Sequence, residues 1–338
     1  MPSPTIAVAG AGSVGSYIGG RLAHAGAGVT LIGRERIGAV IARNGLRLSD
    51  LHGFDARLTP EAVPFATAPD AAASADLVLV TVKSAATGEM ADALAPVLRT
   101  GTIVISFQNG LRNAELLAER LPHCTVLAGM VPFNVVDGGD GHFHHGSDGE
   151  LEVAESAALA PFVEVFAAAG LPLQQHADMP AVLWGKLLLN LNNAVNALSG
   201  QPLKAELSQR AYRRCVATAQ RETLALLDAA AIAPAKLTAL PARWLPAALS
   251  VPDAVFRVLG NRMLAIDPLA RSSMWEDLER GRRTEIDWIN GEVVRLAERL
   301  GRTAPVNARL IALIREAEAG GRRDWDGPAL LAELRAAR

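Results

Sequence analysis

Five short, apolar, largely β-branched runs recur through the first 131 residues, TIAVAG, GVTLIG, DLVLVTV, GTIVISF and TVLAGMV, with Ala- and Leu-rich stretches between them. Strands that are apolar throughout, without polar alternation, are buried on both faces. Helices must then cover both faces, so this half is expected to form a doubly wound, mostly parallel sheet of the α/β class. From about residue 155 the strand signals stop and helical periodicity takes over. It runs through PFVEVFAAAG, MPAVLWGKLLLNLNNAVNAL, a long stretch from Leu207 to Ala230 and amphipathic segments after Ser272. Gly170-Leu-Pro and Met179-Pro punctuate the change. The expected organisation is an α/β domain over residues 1–175 and an all-helical domain over residues 176–338, since a chain of 338 residues is long for one core. Between Ala233 and Pro268 prolines recur too often for one long helix, which predicts short helical pieces or a loop.

The first run leads into Gly10-Ala11-Gly12-Ser13-Val14-Gly15, followed by Tyr17, Ile18 and Leu22 at helical spacing. A GxGxxG is weak evidence alone, but between a strand and a helix it is the dinucleotide fingerprint. Gly10 permits the tight turn, Gly12 lets the backbone approach a pyrophosphate, and Gly15 allows close helix packing, with the anion at the helix N-terminus. Ala11, Ser13 and Val14 complete the expected cofactor-binding loop. The second run ends in Arg34, where an NAD enzyme usually places an acid for the ribose 2′-hydroxyl. A guanidinium fork suits a 2′-phosphate, so NADP(H) is the expected cofactor, with the adjacent Glu35 as a competing signal. Lys83-Ser84 and Gln108-Asn109-Gly110 follow the third and fourth runs, at the carboxyl ends of strands where such sheets hold ligands. Each alone could be a polar loop start; jointly they are candidates to touch nicotinamide, ribose or substrate.

In the helical half, WGKLLLNLNN places Lys186, Asn190 and Asn193 at offsets of zero, four and seven, on one face of an otherwise apolar helix. The stripe is either solvated or the wall of a site, because burying such groups unpaired would cost about 1–3 kcal/mol each. The segment ARSSMWEDLERGRRTEIDWING carries a second polar cluster. On one straight helix Ser273 and Glu285 would lie about 18 Å apart. Ser273 with Glu276, and Thr284 with Asp287, each resemble a capping box, with Gly281 between them. The expectation is a break at Gly281, with Glu285 in the first turn of a new helix.

A net charge of −2, with C-terminal arginines interleaved with acids, argues against a nucleic-acid footprint. Cys124 and Cys215 lack CxxC spacing and support neither a disulfide framework nor a zinc site. His142 and His144 in GHFHHGSDGE could share a strand face as metal ligands, but the Gly and Asp flanks suggest an exposed hairpin. No apolar segment is long enough to span a bilayer, and no basic leader precedes the first run, so a cytoplasmic location is expected. A homodimer is a possible assembly.

Taken together, the N-terminal GxGxxG, Arg34, VKS, QNG, WGKLLLN, SSM and GRRTEID, in this order, resemble ketopantoate reductase (2-dehydropantoate 2-reductase) across nearly the whole chain. The resemblance implies a Rossmann domain followed by an all-helical domain of the 6-phosphogluconate dehydrogenase type, with the active site in the cleft between them. It implies NADPH-dependent reduction of 2-dehydropantoate to (R)-pantoate, on the route to pantothenate and coenzyme A. Lys186 would be the general acid, joined at the site by Glu285. Asn109, Asn190, Asn193 and Ser273 would position the substrate, and Lys83 and Asn109 would lie near the cofactor. Three features depart from the family pattern: a helix one residue shorter after the lysine, Ala270 where members often carry asparagine, and a longer proline-punctuated segment before Ser272. The alternatives are a paralogue acting on another branched 2-oxo acid and a non-enzymatic NADP-sensing protein.

Overall fold

The computed structural model describes residues 4–259 and 270–337, which divide between two compact units, Met1–Met179 and Pro180–Arg338. The first unit holds strands β1 (Thr5–Ala9), β2 (Gly28–Ile32), β3 (Leu46–Asp50), β4 (Asp55–Leu58), β5 (Phe65–Ala66), β6 (Leu77–Val80), β7 (Ile103–Ser106), β8 (Thr125–Met130), β9 (Val135–Gly139), β10 (His142–His145), β11 (Leu151–Ala154) and β12 (Leu173–His176). Its helices are α1 (Ser13–His24), α2 (Glu35–Asn44), α3 (Thr87–Leu94), α4 (Asn113–Arg120) and α5 (Ala160–Ala168).

The main sheet has the order β12-β11-β8-β7-β6-β1-β2-β5. The six strands from β5 to β8 are parallel, β11 runs antiparallel to β8, and β12 is parallel to β11. The chain winds outward from β1 through β2 to β5, then returns to the other side of β1 with β6. That reversal is the switch point beyond which doubly wound sheets bind ligands. The apolar runs are explained by two buried faces. Val8, Leu31 and Leu79 pack with Tyr17, Ile18 and Leu22 of α1, whereas Val78, Val80 and Val104 pack with Ala91, Leu94 and Leu117 of α3 and α4.

One expectation for this unit is corrected and another is extended. Strand structure does not stop at residue 155, because LQQH forms β12 on the edge of the main sheet. GHFHH does enter a hairpin, β10 pairing antiparallel with β9 across a turn at Asp140-Gly141, but β10 is also an inner strand of a second sheet, order β4-β3-β10-β9, with β3 on its other side and Phe143 buried.

The second unit holds, after α6 (Met179–Asn190), helices α7 (Asn192–Ser199), α8 (Leu203–Leu207), α9 (Arg210–Ala229), α10 (Leu245–Ser250), α11 (Asp253–Leu259), α12 (Ser273–Glu279), α13 (Asn290–Arg299), α14 (Pro305–Glu318) and α15 (Gly327–Ala336). The long α9 packs against α7, α10, α13, α14 and α15. The run from Met179 to Ser199 is not one helix but two, interrupted at Leu191. Gln220 of α9 donates to the Leu188 carbonyl at 3.0 Å, the acceptor that the next helical turn would use, and such an inserted side chain is a recognised cause of a break. The proline-punctuated segment forms short pieces at Ala242–Trp244, α10 and α11, and residues 260–268 of it lie outside the described residues. Buried Arg213 holds these pieces to α9, donating to the Leu249 and Val251 carbonyls at 3.1 and 2.8 Å and stacking on Phe256. Among the described residues no helix is long and apolar enough to cross a membrane.

Candidate active site

In the first unit the parallel strands end in register, Ala9 beside Ile32 and Val80, and Val80 beside Ser106. The loops carrying Gly10, Arg34, Lys83 and Asn109 therefore leave one edge of the sheet. The three glycines do different work there. Gly10 has φ +123°, and a Cβ on it would lie 2.5 Å from the Val82 nitrogen and 2.8 Å from the Thr81 carbonyl carbon. A Cβ on Gly15 would overlap the Gly10 carbonyl oxygen and lie 2.5 Å from Thr81 Oγ1. Nothing lies within 4 Å of the Cβ position of Gly12, so the loop presents bare, open backbone at the start of α1. Ala11 is buried, and Ser13 and Val14 form the first turn of α1, whose amides lack intrahelical acceptors. This is a cradle fit for a pyrophosphate.

Thr81 secures the loop from the neighbouring strand, its Oγ1 donating to the Gly10 carbonyl at 2.8 Å. The Lys83 and Asn109 loops are tied together beneath their surface. Ser84 Oγ and Asn113 Nδ2 donate to the Asn109 carbonyl at 2.7 and 2.6 Å, and Gln108 Nε2 donates to the Val82 carbonyl and to Thr87 Oγ1 at 3.0 and 2.7 Å. Lys83 is exposed and Asn109 partly so. Arg34 is exposed as the N-cap of α2, and Gly33 before it runs so close to the glycine loop that an added Cβ would lie 2.8 Å from Ala11 Cβ, which sets Arg34 beside that loop. Glu35 is the first-turn acid of α2, where the helix dipole favours it.

In the second unit Lys186 lies on α6 among buried Leu183, Trp184, Leu187 and Leu188. Its side chain keeps partial exposure, yet protein surrounds the ammonium, and this desolvation pulls its pKa down to about 8. Asn190, partly exposed, sits one turn further along the same helix. Asn193 lies beyond the break, and its carbonyl accepts a hydrogen bond from Ser272 Oγ at 3.3 Å. Ser273 is exposed in the first turn of α12.

The capping expectations need correction. Ser272, not Ser273, is the N-cap of α12: its φ and ψ of −75° and 154° are extended, and its Oγ accepts from the Trp275 amide at 3.2 Å. Gly281 does break the segment, at φ +60°, with the Gly281 and Arg282 amides donating to the Leu278 and Asp277 carbonyls. Glu285 is not in the first turn of an α-helix. It is buried just ahead of a 3-10 turn at Ile286–Trp288, before α13 begins at Asn290. Thr284 forms no capping box with Asp287; its Oγ1 accepts from the Ile286 amide at 3.3 Å and donates to Glu318 at 2.7 Å.

Thus Lys186 and Asn190 are joined by one helix, and Asn193 and Ser273 through Ser272. Glu285 arrives on a stretch anchored separately to Glu318. Thr81, Thr87, Asn113, Asn196 and Ser272, which brace these loops and helix ends, are marked for that role by no motif of the sequence, although Asn196, polar in NNAVNAL, carries the same signal as Asn190. As for the histidines, Ser49 Oγ lies 2.8 Å from both His142 Nε2 and His144 Nδ1, and among the described residues no group of three or more His, Cys, Asp or Glu could hold a metal.

Comparison with known proteins adds the family. Residues 6–158 match the family model described as ketopantoate reductase PanE/ApbA, and residues 178–318 match that of its C-terminal region. A 2-dehydropantoate 2-reductase of Halobacterium salinarum is 32% identical, with 94% of this chain and 99% of that protein covered. The crystal structure of a PanE/ApbA family ketopantoate reductase from Ralstonia eutropha JMP134 superposes with a TM-score of 0.80 at 33% identity, covering 94% of this chain and 99% of that one. D-mandelate dehydrogenase, solved with NADH and anilino(oxo)acetate, shares the fold at 20% identity and a TM-score of 0.76, covering 94% and 99% of the two chains.

Proposed function

Because the chain belongs to the ketopantoate reductase family, we propose that it reduces 2-dehydropantoate to (R)-pantoate with NADPH, a step toward pantothenate and coenzyme A. The observation that carries this reading is Lys186, a desolvated lysine with a pKa of about 8 on the partly exposed strip of a buried helix. An ordinary lysine, with a pKa of about 10.4, holds its proton too firmly to be an efficient acid near neutrality. At about 8 Lys186 is mostly protonated at pH 7 and close to release.

The glycine loop would hold the pyrophosphate at the α1 N-terminus, Arg34 would take the 2′-phosphate, and Lys83 and Asn109 would contact the rest of the nucleotide. Bound there, NADPH supplies the hydride. Lys186 gives its proton to the substrate carbonyl oxygen as negative charge develops on it. Asn109, Asn190, Asn193 and Ser273 position the substrate, and Glu285 pairs with the ammonium or the substrate hydroxyl.

A panel of 2-oxo acids with NADPH, followed at the nicotinamide absorbance, tests the reading, and 2-dehydropantoate is expected to give the highest kcat/KM. Another acid better by about tenfold, or roughly 1.4 kcal/mol of transition-state binding, would overturn the substrate assignment. No turnover at all would favour the NADP-sensing alternative. Ala270 gives the paralogue reading its footing: its carbonyl accepts from the Leu203 amide at 2.9 Å, but its methyl offers a substrate no donor at the position where the family resemblance leads one to expect asparagine.

NADPH preference has its own test. Charge-assisted hydrogen bonds contribute about 1.5–3 kcal/mol, so Arg34→Ala is expected to raise KM for NADPH by about tenfold or more while leaving NADH nearly unchanged. The Arg34 side chain makes no capping bond to α2, so its loss does not remove a helix cap. Equal use of the two cofactors by the parent protein would refute the preference.

A further inference from the structure

Glu206, on α8, is completely buried, and the chemistry above does not use it. Its Oε2 accepts from Asn196 Nδ2 at 3.0 Å and, more distantly, from Asn192 Nδ2 at 3.4 Å. Asn196 is also completely buried, and each of its amide atoms is committed. Nδ2 donates additionally to the Gln201 carbonyl at 2.9 Å, and Oδ1 accepts from the Ser272 amide at 2.9 Å. Ser272 closes the chain of contacts as the N-cap of α12, with Ser273 next in sequence and exposed.

An enclosed carboxyl group bonded by two neutral amides is a costly way to fill space. An apolar side chain could fill the same volume, but it could not orient Asn196. Rotated by half a turn, the Asn196 amide would aim its own donor at the Ser272 amide and lose both of its acceptors. We infer that Glu206 is a positioning residue for the substrate: it fixes the Asn196 amide, which fixes the Ser272 backbone and so holds Ser273 where the oxo acid is bound. The inference rests on the reading of Ser273 as a substrate residue. Burial pushes the Glu206 carboxyl up to about 8, so at neutral pH it is uncharged and glutamine is its close mimic.

Steady-state kinetics at pH 7 of Glu206→Leu, Glu206→Gln, Ser273→Ala and the Glu206→Leu/Ser273→Ala pair test the inference. Glu206→Leu is expected to raise KM for 2-dehydropantoate about tenfold while kcat and KM for NADPH stay within about twofold of the parent. Glu206→Gln, which keeps an oxygen for Asn196, should restore KM to within about twofold, and Glu206→Leu should add little to Ser273→Ala. An unchanged KM in Glu206→Leu, or a loss of kcat and melting temperature that glutamine does not restore, overturns the positioning role. If the leucine variant is not recovered folded, Asn196→Ser replaces it: too short to span from Glu206 to Ser272, it should give the same selective rise, and an unchanged KM overturns the inference. Should Ser273→Ala leave KM unaltered, the substrate assignment of Ser273 fails and the inference with it. A raised KM in Ser273→Ala beside an unaffected Glu206→Leu sinks the inference alone.

Discussion

Replacing Lys186 by alanine is expected to lower kcat by about 10²–10⁴-fold, the contribution typical of a positioned general acid, equivalent to roughly 3–5 kcal/mol of barrier. NADPH affinity should stay near that of the parent, because the glycine loop lies in the other unit of the chain. The pH dependence is fixed by the same group. The acid must carry its proton, so the reduction rate of the parent should fall as pH rises through about 8, and this limb should vanish in the alanine variant. Stability should move the opposite way. The pKa of Lys186 in the fold lies below that of an unfolded lysine, so its charge disfavours folding at every pH below about 8, and the penalty fades only as pH climbs from there toward about 10.4. Lys186→Met, which keeps the bulk and removes the charge, should therefore melt at or above the parent temperature at pH 7 while being as slow as the alanine variant. If Lys186→Ala retains more than about a tenth of parental kcat, with chemistry rate-limiting in both proteins, the loss is well short of a general acid's share and Lys186 is not the proton donor.

The parallel sheet was legible because burial on two faces forces unbroken apolar runs, and DLVLVTV can scarcely be anything else. Of the second sheet only the hairpin at GHFHH was legible. The strands LRLSD and DARL are short and half polar, burying Leu46, Leu48 and Leu58 in an alternation too brief to distinguish from loop. Lys186 and Asn190 stood out as polar residues in an apolar helix, which is a local signal. The break at Leu191 had none, since nothing about leucine ends a helix and the cause is Gln220, 32 residues after the Leu188 whose carbonyl it takes. The cap of α12 was misplaced by one residue because Ser273 and Glu276 satisfy the spacing of a capping box, whereas the extended backbone belongs to Ser272. Glu206 shows the limit most clearly. In LKAEL it reads as an ordinary acid on a short helix, and only its tertiary enclosure makes it a buried ligand of Asn196.

Two glycines of one loop should fail in opposite ways when each becomes alanine. Gly10→Ala places a side chain at φ +123°, a region that costs an L-residue about 1–3 kcal/mol. Its Cβ would also meet the Val82 nitrogen and the Thr81 carbonyl carbon, backbone atoms that cannot retreat without loosening the Thr81 amide bond to the Ala9 carbonyl at 2.9 Å. Overpacking of this kind adds about 1–3 kcal/mol, so the total is a large share of the roughly 5–15 kcal/mol that holds a domain folded. A lowered melting temperature is expected even without nucleotide. Gly12→Ala meets no such obstacle, with φ at −82° and open space around its Cβ. As a poorer N-cap for α1 it should cost no more than about 1 kcal/mol. Yet the added methyl occupies the approach that a pyrophosphate must take to the α1 amides, and displacing that contact should weaken NADPH binding by about tenfold or more. Thermal melts paired with NADPH titrations separate the two effects: Gly10→Ala should lose stability first, Gly12→Ala affinity alone. A Gly12→Ala protein that binds NADPH as tightly as the parent would remove the glycine loop from the cofactor site.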